Sequence, residues 1–251
     1  MVDEAAQLGC TLLQIADSPE LESFDGAQRH RLRSYASGRG VRLQVGTSGL
    51  TEPRMRDQLQ AAQDLGADVV RVVLDGAEGH PTVSESVAVL RRLAPDYEAA
   101  GVMIGIENHF MTPSEDLATI VEGTASTAVG VCLDTANSIM IGEWPLTTVK
   151  MLARYCVNMH FKDYAILPDR NGVGGHIVGR TLGEGWLDIP SVLDSAAPAD
   201  RRLAGRLGVI IEQWLPLAGS EAETISAERT GQAANVAAAR RILAAYPQPS
   251  L

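Results

Sequence analysis

Cysteine is scarce in this chain. Cys10, Cys132 and Cys156 are the only three, and none sits in a CxxC spacing. That leaves no disulfide framework and fits reduced thiols in a cytoplasmic protein. No apolar run approaches the ~18 residues of a membrane span, and no signal-peptide pattern precedes the first polar residues. Basic residues are outnumbered, 21 against 31, for a formal net charge of -10. A field of that sign repels nucleic-acid backbones. It does not exclude a small anion, which one or two arginines and a metal would hold. No second core, linker, repeat or low-complexity block interrupts residues 1–251, so one domain is expected.

What the sequence does have is alternation. Strand patterns cover residues 11–16, 41–46, 69–74, 102–107, 129–134, 157–162 and 208–212. Helical patterns cover 2–8, 24–36, 52–65, 84–100, 114–122, 146–155, 189–194 and 227–245. Pro53 inside the start of the third helix and Gly66 just past its end follow the usual asymmetry, and Ser114 reads as an N-cap. Residues 164–187, rich in glycine, read as one long irregular lid-like stretch, and residues 247–249 as a frayed tail. Strands alternating with helices predict a mainly parallel sheet. A doubly wound sheet is disfavoured because no Gly-rich phosphate turn follows an early strand. The expected fold is therefore α/β, a (β/α)8 TIM barrel lacking its first strand, since the chain opens on a helix. Two unpaired edges, at 11–16 and 208–212, should then face each other without barrel hydrogen bonds.

Four successive strands end on metal-competent side chains: Glu107, Asp134, His160 and Glu212. In barrels the C-terminal strand ends form the active site. Three carboxylates around one point raise one another's pKa, a conflict that a divalent cation removes. The donor set suits Mn²⁺, Mg²⁺, Co²⁺ or Zn²⁺.

The segments Ile106-Glu107-Asn108-His109, Cys132-Leu133-Asp134-Thr135-Ala136-Asn137, His160-Phe161-Lys162-Asp163, Leu182-Gly183-Glu184-Gly185 and Ile211-Glu212 resemble the xylose isomerase-like TIM barrels. That superfamily holds sugar isomerases, ketose 3-epimerases, sugar-acid lyases and endonuclease IV. The resemblance implies that Glu107, Asp134, His160 and Glu212 bind one divalent metal, and that Glu107 and Glu212 move a substrate proton. It departs from the epimerases at Asn137, Ile166 and Pro113, which stand where those enzymes carry a histidine, an arginine and a glutamate. The substrate shell is thus expected to come from Asn108, His109, Asn137, Arg170 and Arg180. Lys162 follows His160 at i+2, so it faces the same side. It is a third catalytic candidate, to bind a carboxylate or protonate an enolate. A salt bridge to Asp163 or Glu184 is its structural alternative.

Two enzymatic readings follow. One is a metal-dependent sugar isomerase or epimerase working through an enediolate. The other is a decarboxylase or dehydratase of an oxo-sugar acid, by resemblance to members of the 3-oxo-isoapionate decarboxylase type. A lysine and an arginine converging on the metal ligands favour the second. Five histidines and the acidic charge argue against an endonuclease IV-like cluster. A metal-free partner subunit is expected only if Asp134 and His160 lie too far apart to share an ion. The small-molecule substrate is the expected partner, with a homodimer in view.

Overall fold

Valine- and isoleucine-rich segments buried on both faces suit parallel strands covered by helices. The computed structural model, which describes residues 1–203 and 207–246, joins seven such strands in one parallel sheet. They are β1 (Leu12–Ala16), β2 (Arg42–Ser48), β3 (Val69–Val73), β4 (Met103–Glu107), β5 (Val129–Asp134), β6 (Cys156–Phe161) and β9 (Gly208–Ile211). They pair in the order β1-β2-β3-β4-β5-β6-β9. Outside them lie α1 (Val2–Gln7), α2 (Pro19–Ser23), α3 (Gly26–Ser37), α4 (Glu52–Leu65), α5 (Val83–Ala100), α6 (Ser114–Thr124), α7 (Pro145–Leu152), α8 (Ile189–Arg202) and α9 (Glu221–Ala245). The result is a nearly closed barrel one strand short of eight. No described helix is long and apolar enough to cross a membrane.

The sheet's core is aliphatic: Val45, Val70, Val72, Ile104, Ile106, Val131 and Leu133 are sealed from solvent. Each such side chain contributes roughly 1.5–3 kcal/mol relative to exposure. The contact between β5 and β6 needs Gly130, where a Cβ would lie 2.5 Å from both the Tyr155 carbonyl and Val157. Beside it the register slips, at Val131 and Cys132. That slip brings Asp134 level with His160.

Capping sets several helix boundaries. Asp25 and Gln28 form a capping box that starts α3 after Phe24, and the preceding residues fold into α2, capped by Ser18. Thr82 and Glu85 form a second box that starts α5. Ser114 is the first residue of α6 and caps nothing. Its N–H and hydroxyl both bond the Glu143 carboxylate instead. Ser220 caps α9, which therefore begins ahead of the expected residue 227.

Two expectations change in the second half. Residues 164–187 are not irregular throughout: β7 (Asp163–Pro168) and β8 (Gly175–Arg180) form an antiparallel hairpin. Gly172 and Gly174, with φ of 75° and 79°, make its turn, so the glycines serve the turn and leave the strands intact. The following helix runs to Arg202 rather than stopping near residue 194. The tail at residues 247–249 lies outside the described residues.

The expected break in the barrel is present. Among the described residues, β1 pairs only with β2, and β9 only with β6. The two edges meet through side chains: a Cβ on Gly208 would stand 3.0 Å from Leu12 Cδ2. Above this contact the seam opens into a cavity of about 1180 Å³ between α1, α9 and the two edge strands.

Candidate metal centre

The register of adjacent strands brings the four candidate ligands together. Glu107 ends β4, Asp134 ends β5, His160 lies in β6 opposite Asp134, and Glu212 follows β9 directly. The Glu212 N–H donates to the Phe161 carbonyl at 3.3 Å, extending the pairing by one residue. One ligand atom from each of the four lies within 4.8 Å of the others. Asp134 and His160 are thus close enough to share an ion, so the separation that would have favoured a metal-free partner subunit is not found.

Each ligand is held from behind. Asp134 Oδ1 accepts the N–H groups of Ala136 and Asn137 at 2.8 and 2.7 Å, which opens the short 3-10 turn Asn137–Ile141. Asn108 grips the same residue's backbone, accepting its N–H at 2.7 Å and donating to its carbonyl at 2.9 Å. Both ends of the Asn108 amide are therefore engaged in placing Asp134. His160 Nε2 donates to Gln14 Oε1 at 2.7 Å. Gln14 belongs to a chain of amides: its Nε2 lies 3.3 Å from Gln44 Oε1 and from Asn158 Oδ1, and Gln44 Nε2 donates to Asp68 at 3.0 Å. Such a bond fixes the ring and leaves Nδ1 for a cation. Glu107 accepts from Asn137 Nδ2 at 2.8 Å and pairs with the Arg71 guanidinium.

Lys162 is buried and stands inside the set. Its Nζ is 2.8 Å from Glu212 Oε1, 3.0 Å from Asp134 Oδ2 and 3.2 Å from Asn137 Oδ1, with the Trp214 ring centred 5.1 Å away. Thr135 clamps its backbone, donating to its carbonyl at 2.7 Å and accepting its N–H at 3.0 Å. A salt bridge to Asp163 or Glu184 does not form. The Asp163 carboxylate instead accepts the N–H groups of Gly183, Gly185 and Leu187. Leu182-Gly183-Glu184-Gly185 is therefore a folding clamp beneath the hairpin, and a Cβ on Gly185 would collide with Asp163.

The electrostatics call for positive charge. Burial, with repulsion from Glu212 and Glu107, pushes Asp134 up to about 6 against the opposing pull of Lys162. Burial opposes a charge on His160, yet Cys132 and Glu107 beside it raise its pKa well above the usual imidazole value. Burial likewise opposes charge on Glu107, but His160 and Arg71 hold it well below the carboxylate range. Protons are retained where a cation is wanted. Asp134 Oδ2 and His160 Nδ1 are both sealed from solvent and make no hydrogen bond of acceptable geometry, despite charged neighbours within 3.0 Å. Three carboxylates, one imidazole and two orphaned ligand atoms fit a divalent ion. Cys132 lies beneath, but burial raises its thiol pKa and it donates to Asn158.

The other expected substrate residues divide. Asn137 bridges Glu107 and Lys162 inside the site. His109 is half-buried at the mouth, stacked on Phe110 at 4.2 Å, and burial lowers its pKa. Arg170 lies exposed in the hairpin turn, and Arg180, at the end of β8, has its Nη1 3.4 Å from the Gly179 carbonyl. No bond joins either arginine to the four ligands. Arg71, Gln14, Gln44 and Asn158 were not anticipated. Their signal was a polar side chain in mid-strand, as in Val69-Val70-Arg71-Val72-Val73.

A family profile described as "Xylose isomerase-like TIM barrel" matches residues 2–230. The chain is 30% identical over 228 residues to 3-oxo-isoapionate decarboxylase of Pectobacterium atrosepticum, covering 91% of this chain and 82% of that protein. Among solved structures it is similar to D-psicose 3-epimerase with D-tagatose from Clostridium cellulolyticum H10, with a TM-score of 0.68 and 18% identity over 97% of this chain and 91% of that one. It is also similar to a xylose isomerase-like TIM-barrel protein from Mycobacterium smegmatis in complex with magnesium, with a TM-score of 0.67 and 15% identity over 95% and 87%. At such identities the two structures speak for the fold alone.

Proposed function

The chain belongs to the xylose isomerase-like TIM-barrel family, and from that premise we propose that it is a divalent-metal-dependent lyase that releases CO₂ from a 3-oxo sugar acid. The observation that carries this reading is Lys162, a buried ammonium fixed within 3.0 Å of two of the four ligand carboxylates. A desolvated cation there suits a reaction that gathers negative charge on oxygen. The likeness to the Pectobacterium decarboxylase over most of both chains supports it.

Glu107, Asp134, His160 and Glu212 would hold the ion, which when bound supplies Lewis-acid polarisation of a substrate carbonyl. In the reaction the bond from the carboxylate carbon to C2 breaks, CO₂ leaves, and its electron pair passes to the 3-oxo oxygen. The Lys162 ammonium, held on Glu212, Asp134 and Asn137, stabilises that growing charge by its proximity. The C2 position must then regain a proton. That proton comes from solvent, and Glu212 is the group placed to relay it, because its side chain is 39% exposed while that of Glu107 is 1% exposed. Asn137 keeps Lys162 and Glu107 in fixed relation.

A ketose isomerase or epimerase is the second reading. It is favoured by the approach of Glu107 and Glu212 to His160 Nδ1, at 3.4 and 2.8 Å, from strands separated by two others. Two carboxylates so placed suit removal and return of one proton.

The test is a Mn²⁺-supplemented assay of 3-oxo sugar acids for CO₂ release and of ketoses for exchange of the C3 hydrogen in D₂O. The lyase reading expects CO₂ release that falls on the order of 10²–10⁴-fold in Lys162→Met while Mn²⁺ binding persists. Ketose exchange without CO₂ release would hand the site to the epimerase reading.

A further inference from the structure

Arg71 lies in the middle of β3, where an aliphatic residue would complete the strand. Its partners in register on both neighbouring strands are glycines, Gly46 and Gly105, and Ala16 follows in the same row. The row has no room for more. A Cβ on Gly46 would stand 3.1 Å from Arg71 Cδ and 3.0 Å from Ala16 Cβ. Gly46 and Ala16 thus clear a lane for one guanidinium inside the barrel, while a Cβ on Gly105 would meet Cys132 and Val157.

Two of its nitrogens are committed. Nε pairs with Glu107, and Nη1 donates to Asp17 at 3.1 Å. Asp17 takes a left-handed conformation, φ 49°, just past β1. Nη2 is bonded to no described residue, yet it is not among the atoms sealed from solvent. Arg71 lines the inner end of the seam cavity beside Gln14, His160 and Glu212. Lys162, by contrast, directs Nζ at protein oxygens. Arg71 therefore offers a fixed charged donor that faces space next to the ligand set.

We propose that Arg71 Nη2 binds the carboxylate of a short hydroxylated acid seated beside the candidate ligand set. This rests on the oxo-acid reading and names the residue that selects acids over neutral sugars. Arg170 and Arg180 are not needed for it. Because Nε and Nη1 are already held, the carboxylate is gripped by one end of the fork and not by a bidentate pair. Orientation is gained without the full stabilisation of the bound acid that would slow its breakdown. Asp17 tempers the same guanidinium from the solvent side.

Calorimetry on the Mn²⁺-loaded protein, with L-threonate as the acid and erythrulose as the neutral four-carbon control, tests this. Arg71→Gln should weaken L-threonate about tenfold or more, the scale of one charge-assisted bond, and leave erythrulose and Mn²⁺ affinities within about threefold. Asp17→Asn, at an exposed position that asparagine tolerates, should tighten L-threonate several-fold by removing a competing anion. This variant keeps the test decisive if Arg71→Gln does not fold. Equal loss of acid and neutral ligand overturns the proposal, as does lost Mn²⁺ binding in Arg71→Gln or an unchanged L-threonate affinity in Asp17→Asn. The CO₂ assay is independent of these outcomes, so the lyase reading survives or fails separately.

Discussion

The two sides of this barrel are built differently. Across β4, β5 and β6 every strand has a neighbour on both edges; Asp134 is clamped by Asn108 and the Asn137 turn, and Thr135 fixes the Lys162 backbone beside it. Across the seam, β9 is four residues long with one free edge, and Glu212 hangs just past its end, partly exposed. The first side has the rigidity to hold an ion. The second leaves Glu212 within reach of solvent and one wall bordered by the seam cavity. A metal site that must also do chemistry is served by that inequality.

The largest effect should come from breaking the rigid side. Asp134→Ala with His160→Ala is expected to abolish Mn²⁺ binding by calorimetry. Glu212→Gln should weaken it by roughly 10–100-fold, the range of a supporting rather than an indispensable contact. Equal losses in the two variants would erase the distinction. Stability should follow the same line. Ile106→Ala, in the sealed sheet, is expected to cost about 2–5 kcal/mol in denaturant titration. Val209→Ala, half-buried at the seam, should cost about 1 kcal/mol or less.

Proton competition sharpens the comparison next. Asp134 is pushed up to about 6, above the usual aspartate value, and His160 is raised well above imidazole's. Both protons must leave before an ion binds. Mn²⁺ affinity should therefore rise with pH through about 6 and onward until His160 is deprotonated. Glu107 and Glu212 are held low and contribute no such slope above pH 5. The sign for metal-free stability is opposite for the two kinds of group. Asp134 disfavours folding as pH rises from its unfolded value through about 6. Glu107 and Glu212 favour folding above their unfolded values and lose that contribution as pH falls. The smallest effect concerns thiols. Cys132 and Cys156 are sealed in the sheet, and burial pushes Cys156 up to about 12. Cys10 lines the seam cavity. Iodoacetamide at neutral pH should label Cys10 alone in the native protein, and rapid labelling of all three would show the sheet to be looser than described.

Much of this was legible in the chain. Glu107, Asp134, His160 and Glu212 announce themselves because an apolar strand ending on a polar side chain is a repeated local pattern, and parallel strands bring such ends to one face. Lys162 follows by the two-residue strand period. Most helices were legible through their caps and glycines, with slips of one or two residues beside the caps Asp25 and Thr82, while α2, the second half of α8 and the first turns of α9 carried too little apolar periodicity to be read. The hairpin at 163–180 was hidden because its turn glycines resemble those of an irregular loop.

Fold class, the unpaired seam and the four candidate ligands could be read from the chain alone, because periodicity and strand-end chemistry are local properties. Only the tertiary structure decided what surrounds them. Arg71 reaches Glu107 across thirty-six positions and Gln14 reaches His160 across one hundred and forty-six, distances at which no local pattern survives. A polar residue in mid-strand reads the same whether it faces a helix, a solvent channel or a metal. Its role is set by which strands close beside it, and that is fixed by the register of the whole sheet.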